Sequence, residues 1–363
     1  MAKFTGVQWA PKQFQYVFRE GVSHVVEGDS KAYAVSRSVH YGIGLVFEGI
    51  RFYCAHTVNG LEIRFLNLEQ NLSRFLRGLR YSISNADHSL LPSEDEMRTL
   101  FLDGFFRRPE LRAFLEQMAN TKAQGYFRPF TLDEAQSIGV TFPEEPAIRA
   151  AICSYESYLG EPFSGVVVPN LVRAVTGNGT GHLKLGSNYL ISVKAIQRAK
   201  EIDPTAGAAL FLDDRPDQNV LDRKLTEWDS SCCLVALRDG RLIRIPDGPL
   251  ILPSVTIRGV TALAEARGIM VEERPITYGE LVEWEKTNQL VCVCSIGTAG
   301  VLNRCQRLTL VDAQSNVIAV HQANQSHELY AELAAIRSDY WRMYLGEVDL
   351  PEGVTLERHD LSS

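Results

Sequence analysis

At 363 residues the chain is long enough for two domains, each with its own core. Its apolar and charged fractions, 45% and 22%, are those of an ordinary globular protein. The formal charge of −7 argues against nucleic-acid or anionic-membrane partners, which need clustered Lys and Arg, and basic pairs such as Arg107-Arg108 stand isolated.

The stretch Met1 to Gln15 is polar and aromatic, so no signal peptide is expected, and no apolar run approaches the ~20 residues that span a bilayer. Strands are predicted at Gln15–Phe18, Ala32–Ser38, Gly49–Tyr53 and Leu61–Leu66, the last two joined by an Asn59-Gly60 hairpin signal. Leu72, Phe75, Leu76 and Leu79 recur at helical spacing in a helix from Leu68 to about Leu79. Further helices are expected over Glu94–Phe106 and Pro109–Thr121, with strands at Gly125–Phe130 and Ile148–Cys153. The segment Glu156–Val166, rich in Gly, Pro and aromatics, reads as an interdomain connection. After it come a strand, a Gly-rich loop and a helix over Asn188–Lys200. Strands Ala208–Leu212 and Cys232–Leu237 follow, the second ending in the turn Arg238-Asp239-Gly240-Arg241. A helix over Val255–Arg267 stops at Gly268. A strand then runs into Gly297-Thr298-Ala299-Gly300, and Glu328–Tyr344 is the last amphipathic helix. Strands and helices interleave without strict βαβ alternation, which points to α+β domains.

Seven scattered cysteines fit a reduced, cytoplasmic setting. Cys292 and Cys294 share one face of an apolar strand, with no second Cys/His pair nearby to complete a zinc set. Core cysteines, and no metal, are expected there. Cys232-Cys233 reads the same way.

Gly177-Asn-Gly179-Thr-Gly181 has the look of a dinucleotide fingerprint, but its spacing is G-x-G-x-G and His182-Leu-Lys184-Leu-Gly186 intervenes before a helix can start. A Walker loop fails as well, since Lys184 neither follows glycine nor precedes Ser or Thr. Lys184 is the more telling residue. In a nearly uncharged, Gly-rich stretch, desolvation would lower its pKa and leave a free amine able to form an imine.

Lys184-Leu-Gly186-Ser-Asn188-Tyr189 resembles the K-x-G-x-N-Y signature of the branched-chain aminotransferases, the fold-type IV pyridoxal-5′-phosphate (PLP) enzymes. The resemblance continues in order along nearly the whole chain. It takes in His40-Tyr41-Gly42, Phe47-Glu48-Gly49-Ile50-Arg51, Arg74 within Leu68–Arg74, Tyr126-Phe127-Arg128-Pro129 and Tyr158-Leu159-Gly160. Thr226-Glu227, Ile251–Thr256 and Gly297-Thr298-Ala299 complete it. It implies an α+β, two-domain fold-type IV architecture of the D-amino-acid aminotransferase type. A small domain over 1–158 and an interdomain loop over 159–170 would precede a large PLP-binding domain over 171–363. It also implies at least a homodimer, because in this family a partner residue helps close each pocket.

By the same resemblance, Lys184 carries PLP as a Schiff base and moves the substrate proton, and Glu227 sits against the pyridine nitrogen. Tyr189 bonds the cofactor's 3′-oxygen. The phosphate takes Arg74, the helix-start amides at Val255 and Thr256, and the hydroxyls of Thr256 and Thr298. On the substrate side, Tyr41, Phe47 and Tyr158 form an apolar wall, and Arg128 with Tyr41 receives a glutamate side chain. Tyr126 and the amides of Thr298 and Ala299 hold the α-carboxylate, with Arg51 orienting Tyr126. The implied reaction moves an amino group between a branched-chain L-amino acid and 2-oxoglutarate.

The chain departs from the family pattern in several places. Ile43–Val46 holds one extra residue, the Asn after the cofactor glutamate is replaced around Cys232, and Ser254 stands for glycine. Ile257 stands for arginine, and Gln70 for a common histidine. A divergent aminotransferase or lyase on the same scaffold is the alternative. A non-catalytic or nucleotide-binding protein built on the Gly177–Gly181 loop is a third reading.

Overall fold

Two sheets, each built around its own apolar cluster, organise the chain in the computed structural model, which describes residues 4–31, 35–83, 91–159, 162–173, 179–215 and 218–361. The first sheet has eight antiparallel strands. Its order runs Leu356–Asp360, Gly60–Leu66, Ile50–Thr57, Gln124–Asp133, Pro146–Tyr155, Lys12–Val17 and Val22–Glu27, with Gln8–Trp9 added against Pro146–Tyr155. The Asn59-Gly60 signal is realised as a hairpin with Thr57 opposite Gly60. Phe52, Ile63, Phe65, Phe127 and Ile148 on its strands bury against Leu72, Phe75 and Leu79 of the helix Leu68–Ser82 and against the helices Glu94–Phe101 and Pro109–Thr121.

The second sheet has nine strands. Phe163–Val168 lies parallel between Ala208–Leu212 and Val301–Val311, and Leu290–Gly297 links the latter to Cys232–Leu237. Leu225–Trp228 pairs with Ala208–Leu212 and also, at Glu227 opposite Cys232, with Cys232–Leu237. That second pairing closes six strands into a barrel, which Trp228, Val167, Leu210, Val235 and Leu308 fill. The helices Val255–Ala266 and Glu328–Leu345 cover one outer face, and Leu190–Ile202 covers another. Cys292 and Cys294 lie fully buried with their sulfurs 3.7 Å apart. Among the described residues no group of three or more His, Cys, Asp or Glu could hold a metal, and no helix is long and apolar enough to cross a membrane.

Several expectations need correction. Of the strand expected at Ala32–Ser38, residues 32–34 lie outside the described residues, and Arg37–Tyr41 is a short helix. Ser36 caps its start, accepting from the Ser38 amide, and Gly42 at φ 69° ends it, so capping outweighs the β-branched Val39. The helix expected over Glu94–Phe106 is α only to Phe101 and widens to a π turn over Leu102–Phe106. Asn188 belongs to a 3₁₀ turn, Gly186–Tyr189, before the α-helix begins at Leu190. Phe163–Val168, inside the expected interdomain loop, is an inner strand of the barrel, and the C-terminal strand Leu356–Asp360 returns to the first sheet.

Candidate active site

The segment around Lys184 is stapled rather than loose. The Asn188 side chain donates to the carbonyls of Thr180 and Leu183 at 2.9 and 3.2 Å, and the Thr180 hydroxyl donates back to Asn188 Oδ1 at 2.9 Å. The Phe47 amide donates to the Lys184 carbonyl at 3.0 Å, which ties the first sheet's Phe47-Glu48-Gly49 stretch to this loop. Lys184 Nζ then donates to the Tyr189 hydroxyl at 3.2 Å. Burial raises the Tyr189 phenol, but the charges of Lys184 and Arg173 beside it bring it below its ordinary value. Both residues line a cavity of about 280 Å³ between the two sheets.

Two buried carboxylate–arginine pairs border that cavity. Glu48 accepts from Arg74 Nε and Nη2 at 2.7 and 2.5 Å, while Arg74 Nη1 donates to the Pro253 carbonyl at 2.6 Å. Of the five guanidinium N–H groups, three are thereby engaged and two remain. Burial would raise the Glu48 carboxyl, yet the Arg74 charge and hydrogen bonds, the Lys184 charge and the Gly49 amide hold it below the usual range. Glu227, 2% exposed, pairs with Arg173 and accepts weakly from the Leu252 amide at 3.4 Å. Ser254 caps the helix Val255–Ala266, accepting from the Ile257 amide at 3.2 Å, so the start of that helix borders Arg74.

Arg128 forms the opposite wall. Its Nη2 donates to the Tyr126 hydroxyl at 2.6 Å, and its guanidinium carbon lies 4.5 Å from the Phe47 ring centre. Tyr126 approaches Gly49 so closely that a Cβ there would stand 2.2 Å from its hydroxyl, so the motif position needs glycine. Tyr158 and Ser230 share a hydrogen bond of 2.9 Å. The Thr298 hydroxyl donates to the Gly49 carbonyl at 3.2 Å, joining the Gly297–Gly300 turn to the first sheet.

Phe47, Arg74, Tyr126, Arg128, Tyr158, Lys184, Tyr189, Glu227, Thr298 and Ala299 thus line one cavity, although they come from distant parts of the chain. Four other expected residues do not line it. Tyr41, 48% exposed, stands on the short helix outside. Val255 and Thr256 are buried in the first turn of their helix, with the Thr256 hydroxyl toward Tyr340. Arg51 lies behind the wall, bonded to the carbonyls of Thr298 and Ala299 rather than to the Tyr126 hydroxyl. Gly177 and Gly160 fall outside the described residues. Sequence reasoning passed over Glu48 and Arg173. Glu48 lay within a quoted motif, and Arg173 was legible only as a lone charge in the apolar run Leu171-Val172-Arg173. Ser230, Ser231 and Ile296 also line the cavity and carried no signal.

No protein-family model matches the chain. Among curated proteins it is similar to a probable branched-chain-amino-acid aminotransferase of Staphylococcus aureus, 26% identical over 284 residues, covering 77% of this chain and 72% of that one. Among solved structures it resembles a branched-chain aminotransferase of Thermoproteus uzoniensis with norvaline, with a TM-score of 0.67 at 20% identity over 93% of this chain and 96% of that one. The branched-chain amino acid aminotransferase of Thermobaculum terrenum in its PLP form gives a TM-score of 0.65 at 19% identity, over 96% and 98%. Shared architecture, sequence likeness along most of the length and the motif order make the chain similar to the branched-chain aminotransferases and give it their fold.

Proposed function

We propose that the chain is a PLP-dependent aminotransferase, with a branched-chain or similar apolar L-amino acid as donor and 2-oxoglutarate as acceptor. The observation that carries the reading is the convergence of Lys184, Arg74 and Glu227 on one cavity between the sheets.

The residues fit a phosphorylated pyridine aldehyde. Lys184 offers an amine, Arg74 keeps two N–H groups for a phosphate, and Glu227 supplies a buried carboxylate for a ring nitrogen. Behind the cavity wall, Arg173 is buried against Glu227, and its Nε has no hydrogen-bond partner among the described residues. When bound, the cofactor supplies an electron sink for the carbanion left by proton loss at Cα. Lys184 holds and moves that proton, with Tyr189 against its amine. Glu227 keeps a positive charge on the ring side, and Arg74 with the start of the Val255–Ala266 helix anchors the phosphate. Arg128 and Tyr126 offer donors for a second carboxylate, which favours glutamate and 2-oxoglutarate as one substrate pair.

Borohydride reduction of the coloured protein followed by peptide mapping tests the assignment. The label is expected on Lys184, and Lys184→Ala should cut turnover by about 10²–10⁴-fold. A label on Lys194 or Lys200 would sink it. At least a homodimer is proposed on the resemblance to the branched-chain aminotransferases. Light scattering reads this directly, and a fully active monomer would count against it.

A further inference from the structure

Behind the Gly297–Gly300 turn lies a stack of side chains outside the cavity lining. Arg51 donates to the Thr298 carbonyl from Nε at 3.0 Å and from Nη2 at 2.5 Å, and Nη2 also reaches the Ala299 carbonyl at 2.5 Å. Its Nη1 donates to Gln124 Oε1 at 2.8 Å, and the Tyr155 hydroxyl donates to the same Ala299 carbonyl at 2.9 Å. In a planar trans peptide the N–H points opposite to the C=O. With both carbonyls drawn toward Arg51, the N–H groups of Ala299 and Gly300 face away from it, on the side where Thr298 and Ala299 line the cavity.

Arg51 is itself held by an aromatic face. Its guanidinium carbon lies 3.8 Å from the centre of the Trp341 ring and 5.4 Å from that of Tyr155. Tyr53 braces Trp341 edge-on at 6.2 Å. Trp341 belongs to the helix Glu328–Leu345, which packs on the helix Val255–Ala266 and the barrel strands and also touches Ile50–Thr57 and Gly60–Leu66 of the first sheet. The stack therefore sits on the seam between the sheets. Among the described residues Arg51 has no carboxylate partner. A carboxylate there would cancel much of the field that Arg51 projects through the turn. An aromatic face holds the cation in place and leaves that field largely intact.

We propose that Trp341 is a positioning residue for α-carboxylate recognition. Its ring fixes the Arg51 guanidinium, and Arg51 in turn aims the Ala299 and Gly300 amides and adds its charge behind them. The proposal rests on the site reading given above.

The test is the series Trp341→Tyr, Trp341→Phe and Trp341→Leu in the cofactor-loaded protein. It is titrated with 4-methylvaleric acid, a carboxylate without an amino group, and followed by the cofactor's absorbance. Affinity should fall in the order of cation–π strength, Trp above Tyr and Phe above Leu, reaching about tenfold for Leu. KM should rise in the same order for amino donors and oxo-acid acceptors alike, since both carry the carboxylate, while kcat stays within about twofold. Should the Leu variant not fold, the Tyr and Phe variants keep a ring and still report the order. A Leu variant that binds the acid within twofold of wild type, or affinities that follow melting temperature instead of ring type, would overturn the proposal. A wild-type protein that does not take the acid at all would overturn the site reading and this inference with it.

Discussion

Glu48→Gln isolates the contribution of a residue that touches no substrate in the proposed mechanism. Glu48 is fully buried and takes the Arg74 fork through both oxygens, with the Gly49 amide as a third donor at 2.7 Å. Glutamine keeps one acceptor oxygen and turns an N–H₂ toward a guanidinium that is itself only 6% exposed. Removing one member of a buried pair while the other stays charged costs about 3–5 kcal/mol. At an unfolding entropy of ~2.1 cal/mol/K per residue, that lowers the melting temperature of a 363-residue chain by about 4–7 °C. The pH dependence has a definite sign. Because the folded Glu48 carboxyl is held below its ordinary value of 4.5, its contribution is fully present above that value and is lost as pH falls through the lower folded one. The gap between wild type and variant should therefore be constant near neutrality and narrow in acid. Thermal melts followed by circular dichroism at pH 7 and at stepwise lower pH measure both quantities. A variant that melts within about 1 °C of wild type at pH 7, or a gap that widens in acid, would refute the reasoning.

Two further predictions concern the chemistry. Glu227→Gln removes the buried charge expected to sustain the ring's positive charge, so kcat should fall by about 10²-fold while cofactor affinity changes less; near-full kcat would mean another group plays that part. Arg128→Met should raise KM for glutamate, by less than the ~2–5 kcal/mol of a fully buried pair because Arg128 is partly exposed and already bonded to Tyr126. In stopped-flow measurement of the separate half-reactions the leucine side should change much less, and equal damage to both would make Arg128 structural.

Much of the architecture was legible because local signals agreed with tertiary demand. The span Pro109–Thr121, opened by proline at N1, and the strands Ala208–Leu212 and Cys232–Leu237 are realised residue for residue. Misread elements had signals of another kind. Arg37–Tyr41 depends on caps at Ser36 and Gly42 that outvote its one valine, Val39, and Phe163–Val168 is a strand whose pairing partners lie forty and more residues away. Within the site, motif order found the residues that line the cavity. It gave no role to those that hold them, because Glu48, Arg173 and Trp341 act through pairings that only the folded chain creates.

The placing of Glu227 shows how packing elsewhere can decide a functional orientation. Strict alternation along Leu225–Trp228 would turn Leu225 and Glu227 to one face and Thr226 and Trp228 to the other. Instead Leu225 and Trp228 both lie in the barrel's apolar cluster. The pairing shows why: Leu210 opposes Trp228 and Leu212 opposes Leu225, so this strand carries one more residue than its neighbour, a β-bulge. Trp228 pins the register. It is 1% exposed and donates from Nε1 to the Cys294 carbonyl at 3.0 Å, and it lies so close to Gly165 that a Cβ there would meet its ring at 2.6 Å. The extra residue frees Glu227 to face the cavity while both apolar neighbours stay in the core. The same bulge stands beside the point where Glu227 opposes Cys232 and the barrel closes. There the Cys232 thiol donates to the Leu252 carbonyl at 3.5 Å and lines the cavity beside Glu227, so the pairing that closes the barrel also builds part of the cavity wall.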